Sequence, residues 1–356
     1  MSIKIIHTAD IHIGSALKGL PSDKSALRKA EILDGFRRLC TYAKETGVAA
    51  VLIAGDLFDE NKTARHIRRE TLAVIAAASP VRFFYASGNH DDEFDATDEL
   101  PNNLFTFSQN HAFQSYELGG GIRITGIDTK NLSPAAFSTL SLSPENYNIV
   151  VMHGDINGEI PLPRLQNRFV DYLALGHIHK PMRETERLDS RGRYRYCGCL
   201  EGRGFDELGD RGFFLLEIAD GALEREKFLS LATRKTVEAR VDISACNSYF
   251  DVENSVLSAL GGVSEKDLVK AVLCGRHKAG LRKDISLLVS RLNERFFFAK
   301  AEDESRIALD PHEFENDLTE RGEFVREAGR YEMKADFLSE VLEVGLKALS
   351  GEEIDL

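Results

Sequence analysis

The sequence predicts an α/β protein of two packed sheets with helices outside, followed by a smaller α/β module and a helical tail. Three observations carry this reading. Short apolar, β-branched runs alternate with amphipathic stretches as far as about residue 90. From about Ile122 strands continue with fewer helices between them. A second alternation of strands and helices begins beyond a boundary near residues 228–236. At 356 residues the chain exceeds what one compact core usually spans.

Residues 3–7 read as the first strand and 8–14 as the loop at its end. Residues 27–46 place Leu27, Ala30, Leu33, Phe36, Cys40 and Ala43 at helical spacing, and Gly47 stops that helix. Residues 48–54 form the next strand, closing a β-α-β unit with an expected right-handed crossover. A second helix over 63–78 ends at Ser79-Pro80, and a third strand over 81–86 runs into Gly88-Asn89-His90. Later strands are expected at 122–127, 148–152, 172–175, 194–197 and 212–218, with turns at Arg191-Gly192-Arg193 and Ala219-Asp220-Gly221. This later succession is expected to be antiparallel. Beyond the boundary the pattern gives strand 236–243, helix 249–260, strand 268–274, helix 281–293 and strand 295–301. From about Pro311 the chain reads as helical and acidic, and 331–349 set Phe337, Leu338, Val341, Leu342, Val344, Leu346 and Leu349 along an apolar face. The expected domains are 1–228, 229–305 and 306–356.

Composition narrows the class. Nothing approaches the ~18 consecutive apolar residues of a membrane span. Met1 to His7 show no secretory pattern, so a cytoplasmic protein is expected. Cys40, Cys197, Cys199, Cys246 and Cys274 lack zinc-type spacing and read as reduced structural thiols. A formal charge of -12 excludes a protein coated in basic surface. A local strip, Lys180, Arg183, Arg187, Arg191, Arg193, Arg195 and Arg203, reads either as a phosphate-holding surface or as a solvated hairpin of mixed charge.

Val51 to Asp56 is a buried-strand pattern that ends in Gly55-Asp56. Four other stretches close apparent strands in the same way: Asp10-Ile11-His12, Gly88-Asn89-His90-Asp91, His153-Gly154 and Gly176-His177-Ile178-His179. Asp10, His12, Asp56, Asn89, His153, His177 and His179 are the candidate metal ligands. Imidazole, carboxylate and amide oxygen without thiolate suit manganese, iron(II) or zinc. Asp56 is the natural bridge between two ions roughly 3.5–4 Å apart, a spacing that activates a water and clamps a phosphoryl group. His90, next to a ligand but not itself one, suits a general acid, and Asp91 is placed to orient it. His7, His66, His111, His277 and His312 read as ordinary surface or core histidines.

These stretches resemble the calcineurin-like binuclear metallophosphoesterases over roughly residues 1–220, with every motif present. Thr8 to Gly14, Gly55 to Asp59, Gly176 to Pro181 and Gly202 to Gly212 narrow the resemblance to the DNA-repair exonuclease branch of SbcD- and YhaO-like proteins. The resemblance implies an αββα sandwich of two mixed sheets flanked by helices, and two manganese ions. One ion would take Asp10, His12, Asp56 and His179; the other Asp56, Asn89, His153 and His177, with His90 as acid. It further implies a capping domain after residue 230 that shapes DNA access, and C-terminal helices that dock on an SbcC-like, SMC-type ATPase. Homodimerisation is a further implication. Asp59 stands where some relatives carry a second histidine, and Cys197-Gly198-Cys199-Leu200 replaces a more usual proline-glycine turn. The expected function is metal-dependent DNA exonuclease activity, 3′-to-5′, with some endonuclease action. A phosphoesterase for a small nucleotide or phosphoprotein, and a scaffold subunit for an ATPase, are the alternatives.

Overall fold

The computed structural model describes residues 2–15, 19–59, 63–94, 98–107, 111–278, 281–308 and 314–349. Pro311 and His312 lie outside them. Two compact units result, Met1–Lys235 and Thr236–Leu356.

The first unit holds β1 (Ile3–Thr8), α1 (Ser22–Glu45), β2 (Ala50–Ala54), α2 (Arg65–Ala77), β3 (Arg82–Ala86), β4 (Leu104–Thr106), β5 (Gln114–Gly119), β6 (Ile122–Gly126), β7 (Tyr147–His153), β8 (Tyr172–Gly176), β9 (Glu186–Arg187), β10 (Arg193–Tyr196), β11 (Phe213–Ala219) and β12 (Ala222–Leu229). They form two six-stranded sheets, ordered β12-β11-β1-β2-β3-β4 and β5-β6-β7-β8-β10-β9. Both are mixed: β1 to β4 run parallel while β11 and β12 are antiparallel neighbours, and β6, β7, β8 and β10 run parallel between the antiparallel β5 and β9.

Alternation of side chains along each strand builds the layers. Ile6, Val51, Ile53 and Phe83 turn to α1 and α2, against Ile32, Phe36, Leu39, Leu72 and Ile75. Their neighbours Ile5, Leu52 and Phe84 turn the other way, onto Ile124, Ile149, Val151 and Tyr172 of the second sheet. The outer face of that sheet, Val150, Met152, Leu173 and Leu175, is covered by Phe137, Leu140, Ile160 and Leu165 from 3-10 turns and irregular connections. This corrects the antiparallel expectation. Connections without α-helices resemble hairpins in the sequence, yet loops 127–146 and 154–171 are long enough to carry parallel crossovers. The strands β4, β5, β9 and β12 are additional to those the sequence predicts.

The second unit has β13 (Thr236–Asp242), α3 (Tyr249–Ala259), β14 (Leu268–Cys274), β15 (Arg276–Lys278), α4 (Ile285–Arg295), β16 (Phe298–Asp303), β17 (Arg306–Ala308), α5 (Glu320–Ala328) and α6 (Ala335–Leu349). A parallel sheet β13-β14-β16 packs Val241, Val269, Ala271 and Leu273 onto Val252, Val256, Leu288 and Leu292 of the helices. Helix α3 starts at a capping box between Ser248 and Asp251. The apolar face expected on α6 divides: Leu342 and Leu346 are buried against Val325 and Ala328, while Phe337 and Leu349 are exposed. No helix among the described residues is long and apolar enough to cross a membrane.

Candidate metal centre

Parallel strands from both sheets end at the same edge of the sandwich, and the loops leaving them carry the candidate residues. Asp10 and His12 follow β1, Asp56 follows β2, and Asn89 and His90 follow β3. From the other sheet, His153 closes β7, and His177 and His179 follow β8. The first two loops are joined through their backbones: Asp10 N donates to the Gly55 carbonyl at 3.0 Å, and Ile11 N and His12 N donate to the Asp56 carbonyl at 2.9 Å. Asp10, His12 and Asp56 take left-handed backbone angles, with φ of 51°, 50° and 51°, and His177 has φ of 109°. Such angles are unfavourable for residues with a Cβ and concentrate at functional sites.

Two glycines let these loops close. A Cβ on Gly55 would stand 2.2 Å from His153 Nδ1, and one on Gly88 would stand 2.0 Å from Asp56 Oδ1. Their lack of a side chain brings backbone and ligand atoms within contact of each other.

Asp10, His12, Asp56 and His153 are buried. His12 Nε2 lies 3.3 Å from His179 Nε2 and 3.5 Å from Asp56 Oδ2. Asp56 Oδ2 is also 3.5 Å from His153 Nε2, while its Oδ1 accepts from His90 N at 3.0 Å. Asp10 accepts from His177 N with both oxygens, at 3.0 and 3.1 Å, and its Oδ1 is 3.9 Å from His179 Nε2. Asn89 Oδ1 lies 2.9 Å from His153 Nε2. The His177 ring meets that of His153 edge-on, with centroids 5.3 Å apart. The sequence-predicted ligands therefore gather at one place, with His177 joined to the rest through His153 and through its backbone.

The charges there call for a cation. Burial, with Asp56 nearby, pushes the Asp10 carboxyl up to about 7 against the pull of His179, and burial holds His153 down at about 4. His153 Nδ1 has the Ala54 carbonyl at 3.0 Å and so must donate to it. That leaves the Nε2 lone pair facing Asn89 Oδ1 and Asp56 Oδ2: three acceptors converge with no hydrogen between them. Asp10, Asp56 and His153 place ligand atoms within 4.8 Å of one another, as do Asp10, His12 and His179. The donor set fits borderline divalent ions.

The two residues read as acid and orienter separate. His90 stands at the mouth with its side chain 37% exposed, and the carboxylate facing its Nδ1, at 3.6 Å, belongs to Asp59. Asp59 Oδ1 is equally 3.6 Å from His12 Nδ1. Asp91 instead accepts from Phe58 N and Gly88 N, each at 2.8 Å, tying the β2 and β3 loops together. Burial and the Asp56 charge push its carboxyl up to about 7.

A sequence profile described as calcineurin-like phosphoesterase matches residues 3–181, half of the chain. The chain belongs to the calcineurin-like phosphoesterase family. Membership makes it a hydrolase and implies divalent metal ions. Among its relatives, a DNA double-strand break repair protein Mre11 of Methanopyrus kandleri is 26% identical over 270 residues, covering 64% of this chain and 57% of that one. An uncharacterized metallophosphoesterase YhaO of Bacillus subtilis is 27% identical over 250 residues, covering 63% of this chain and 59% of its own. A component of the nuclease SbcCD of Staphylococcus epidermidis is 24% identical over 306 residues, covering 70% of this chain and 78% of its own. The matches to the first two thus span less than two thirds of those relatives.

Within this phosphoesterase, the structure adds residues whose role the sequence does not reveal. Glu207 lies 2.6 Å from His179 Nδ1, and Arg203 Nη2 reaches that nitrogen at 3.0 Å. Attraction to Glu207 and Asp10 raises the His179 pKa against the opposing effect of burial, and Glu207, also buried, is held at about 2 by His179 and Arg203. The run Gly202 to Gly212 carries part of the family resemblance, but nothing in its spacing marks Glu207 as a partner of His179.

Proposed function

We propose that this phosphoesterase is a DNA phosphodiesterase of DNA repair, an exonuclease of 3′-to-5′ polarity with some endonuclease action, working with two manganese ions that iron(II) or zinc can replace. The observation that carries the reading is the convergence of Asp10, His12, Asp56, Asn89, His153, His177 and His179 at one edge, with Asp56 facing imidazoles of both sheets. One ion is assigned to Asp10, His12, Asp56 and His179, the other to Asp56, Asn89, His153 and His177. What such a pair supplies when bound is an activated water and charge neutralisation on the phosphoryl oxygens. The chain supplies the rest. Buried Asp10 and His153 hold the site's shape, and His90 at its mouth is placed to protonate the leaving alkoxide.

DNA as the substrate is supported by the names of the Mre11 and SbcCD relatives and by part of the basic strip. Arg191 is engaged with Asp171, and Arg195 with Glu226. Arg187 and Arg193 lie level with Tyr172, at the end of the strands away from the centre, whereas Lys180, next to His179, and Arg183 are exposed and make no ion pair among the described residues. That is the state of side chains awaiting phosphates. The protein is proposed to be cytoplasmic, with residues 229–305 as a capping domain over DNA. Residues 306–356 are proposed to bind an SMC-type ATPase of the SbcC kind, a role suited to the exposed Phe337 and Leu349.

The test is hydrolysis of end-labelled double-stranded DNA with manganese, beside bis-p-nitrophenyl phosphate and p-nitrophenyl phosphate. Manganese-dependent shortening of the DNA is expected. Turnover of the small esters with DNA left intact would replace this reading with a small-substrate phosphoesterase.

A further inference from the structure

We infer that Glu207 is the residue that positions His179 for metal binding, by holding the hydrogen on Nδ1 and leaving the Nε2 lone pair turned into the centre. The inference rests on the reading of His179 as a ligand. Glu207 is buried, its side chain 6% exposed, and Oε1 lies 2.6 Å from His179 Nδ1. Two lone pairs do not approach so closely, so Nδ1 carries a hydrogen and donates it. Arg203 Nη2 also lies 3.0 Å from this nitrogen and 3.4 Å from Glu207 Oε1. With Nδ1 protonated, the guanidinium has no acceptor at that nitrogen; it is attracted to the carboxylate, and its Nη2 also stands 3.4 Å from His179 Nε2, the one acceptor left on the ring, which a metal ion would take over from it.

The carboxylate cannot easily turn away. Its Oε2 accepts from Arg203 N at 2.6 Å and from Cys199 Sγ at 3.6 Å. The chain at His179 is pinned by the same segment, its carbonyl accepting from Cys199 N at 3.0 Å and Arg211 Nη1 at 2.8 Å. With one ring nitrogen so committed, the other stands 3.3 Å from His12 Nε2 and 3.9 Å from Asp10 Oδ1. His153 receives the equivalent orientation from the main-chain carbonyl of Ala54, which no substitution removes. Glu207 does the same with a side chain, so its part can be measured.

Manganese titration of the full chain by calorimetry, and 15N NMR of His179 in the metal-free protein, test this. Glu207→Ala is expected to weaken one manganese site by ~10–100-fold, the usual range for such partners, and to leave the other site within a few-fold. Glu207→Gln keeps a carbonyl oxygen at the same reach and should recover most of the loss. The NMR signal of Nδ1 should lose its proton-bearing character in the Ala variant and keep it in the Gln variant, which general destabilisation would not produce. A Glu207→Ala chain that binds both ions as the wild type does, with Nδ1 still protonated, would overturn the inference alone. A wild-type chain that takes up no manganese would overturn the metal reading and this inference with it.

Discussion

His90 is the side chain at which binding and turnover should come apart. It lies at the mouth, it contributes its backbone N–H to Asp56, and its imidazole faces Asp59. His90→Ala keeps that N–H, so manganese content should stay at the wild-type level while kcat falls by about 10²–10⁴, the usual contribution of a general acid. Metal analysis and steady-state kinetics on the same preparation check this; loss of metal together with activity would make His90 a ligand. The candidate ligands are legible as a set because each ends an apolar run, and several buried strands that stop in donor side chains draw attention together. Asp91 shows the limit of that reading. Adjacency to His90 suggests a pair, yet its carboxylate faces the amides of Phe58 and Gly88, and the carboxylate beside His90 comes from the β2 loop. Glu207 is hidden for the same physical reason: it meets His179 from 28 positions away, through the return of a loop.

Among the elements, α1 is anchored by charge as well as by its apolar stripe. Arg28, 1% exposed, donates to Glu31 at 2.5 Å, to Glu201 at 3.3 Å and to the Gly202 carbonyl at 2.6 Å. Glu201 also accepts from Arg38 at 2.8 Å and from Thr233 N at 2.8 Å, so residues 201–202 and 233 are fastened to one helix. Glu201→Ala leaves the buried Arg28 guanidinium with a weaker set of partners. A loss of about 3–5 kcal/mol is expected, as when one partner of a buried pair is removed, and urea unfolding of the two proteins measures it. A loss under about 1 kcal/mol would mean that Glu31 and the Gly202 carbonyl suffice. The helix is visible in its 3.6-residue period, but this network is not, since its members lie on three distant segments. Strand direction is hidden likewise: β6, β7, β8 and β10 read as strands, but the sequence alone does not say whether an irregular crossover returns parallel. The edge strand β12, Ala222–Leu229, alternates charge with few apolar residues and leaves no buried pattern to find.

At the scale of the whole sandwich, the two sheets meet over a buried histidine that sets how the fold answers to acid. His7 on β1 has Nε2 3.2 Å from the Leu175 carbonyl and Nδ1 3.0 Å from the Tyr172 hydroxyl, both on the opposing sheet. Behind Tyr172 stand Glu226, at 3.4 Å from its hydroxyl, and Arg195, paired with Glu226 at 2.7 Å. Burial, opposed by the Leu175 hydrogen bond and helped by the Arg195 charge, lowers the His7 pKa from 6.5 to about 3. A histidine in the unfolded chain takes up its proton near 6.5, whereas the folded one stays neutral to about 3. Between those values the unfolded state binds the extra proton. His7 therefore withholds nothing from stability above pH 6.5 and costs up to ~1.4 kcal/mol for each pH unit below it, until the folded state protonates near 3. Subtracting the stability of His7→Gln from that of the wild type at each pH cancels the carboxylates common to both. The difference should fall steadily between about pH 6 and pH 4, with the wild type losing ground. Parallel profiles over that range would mean that the sheets accommodate a charged His7, and that the closure of the sandwich is looser at this point than its packing indicates.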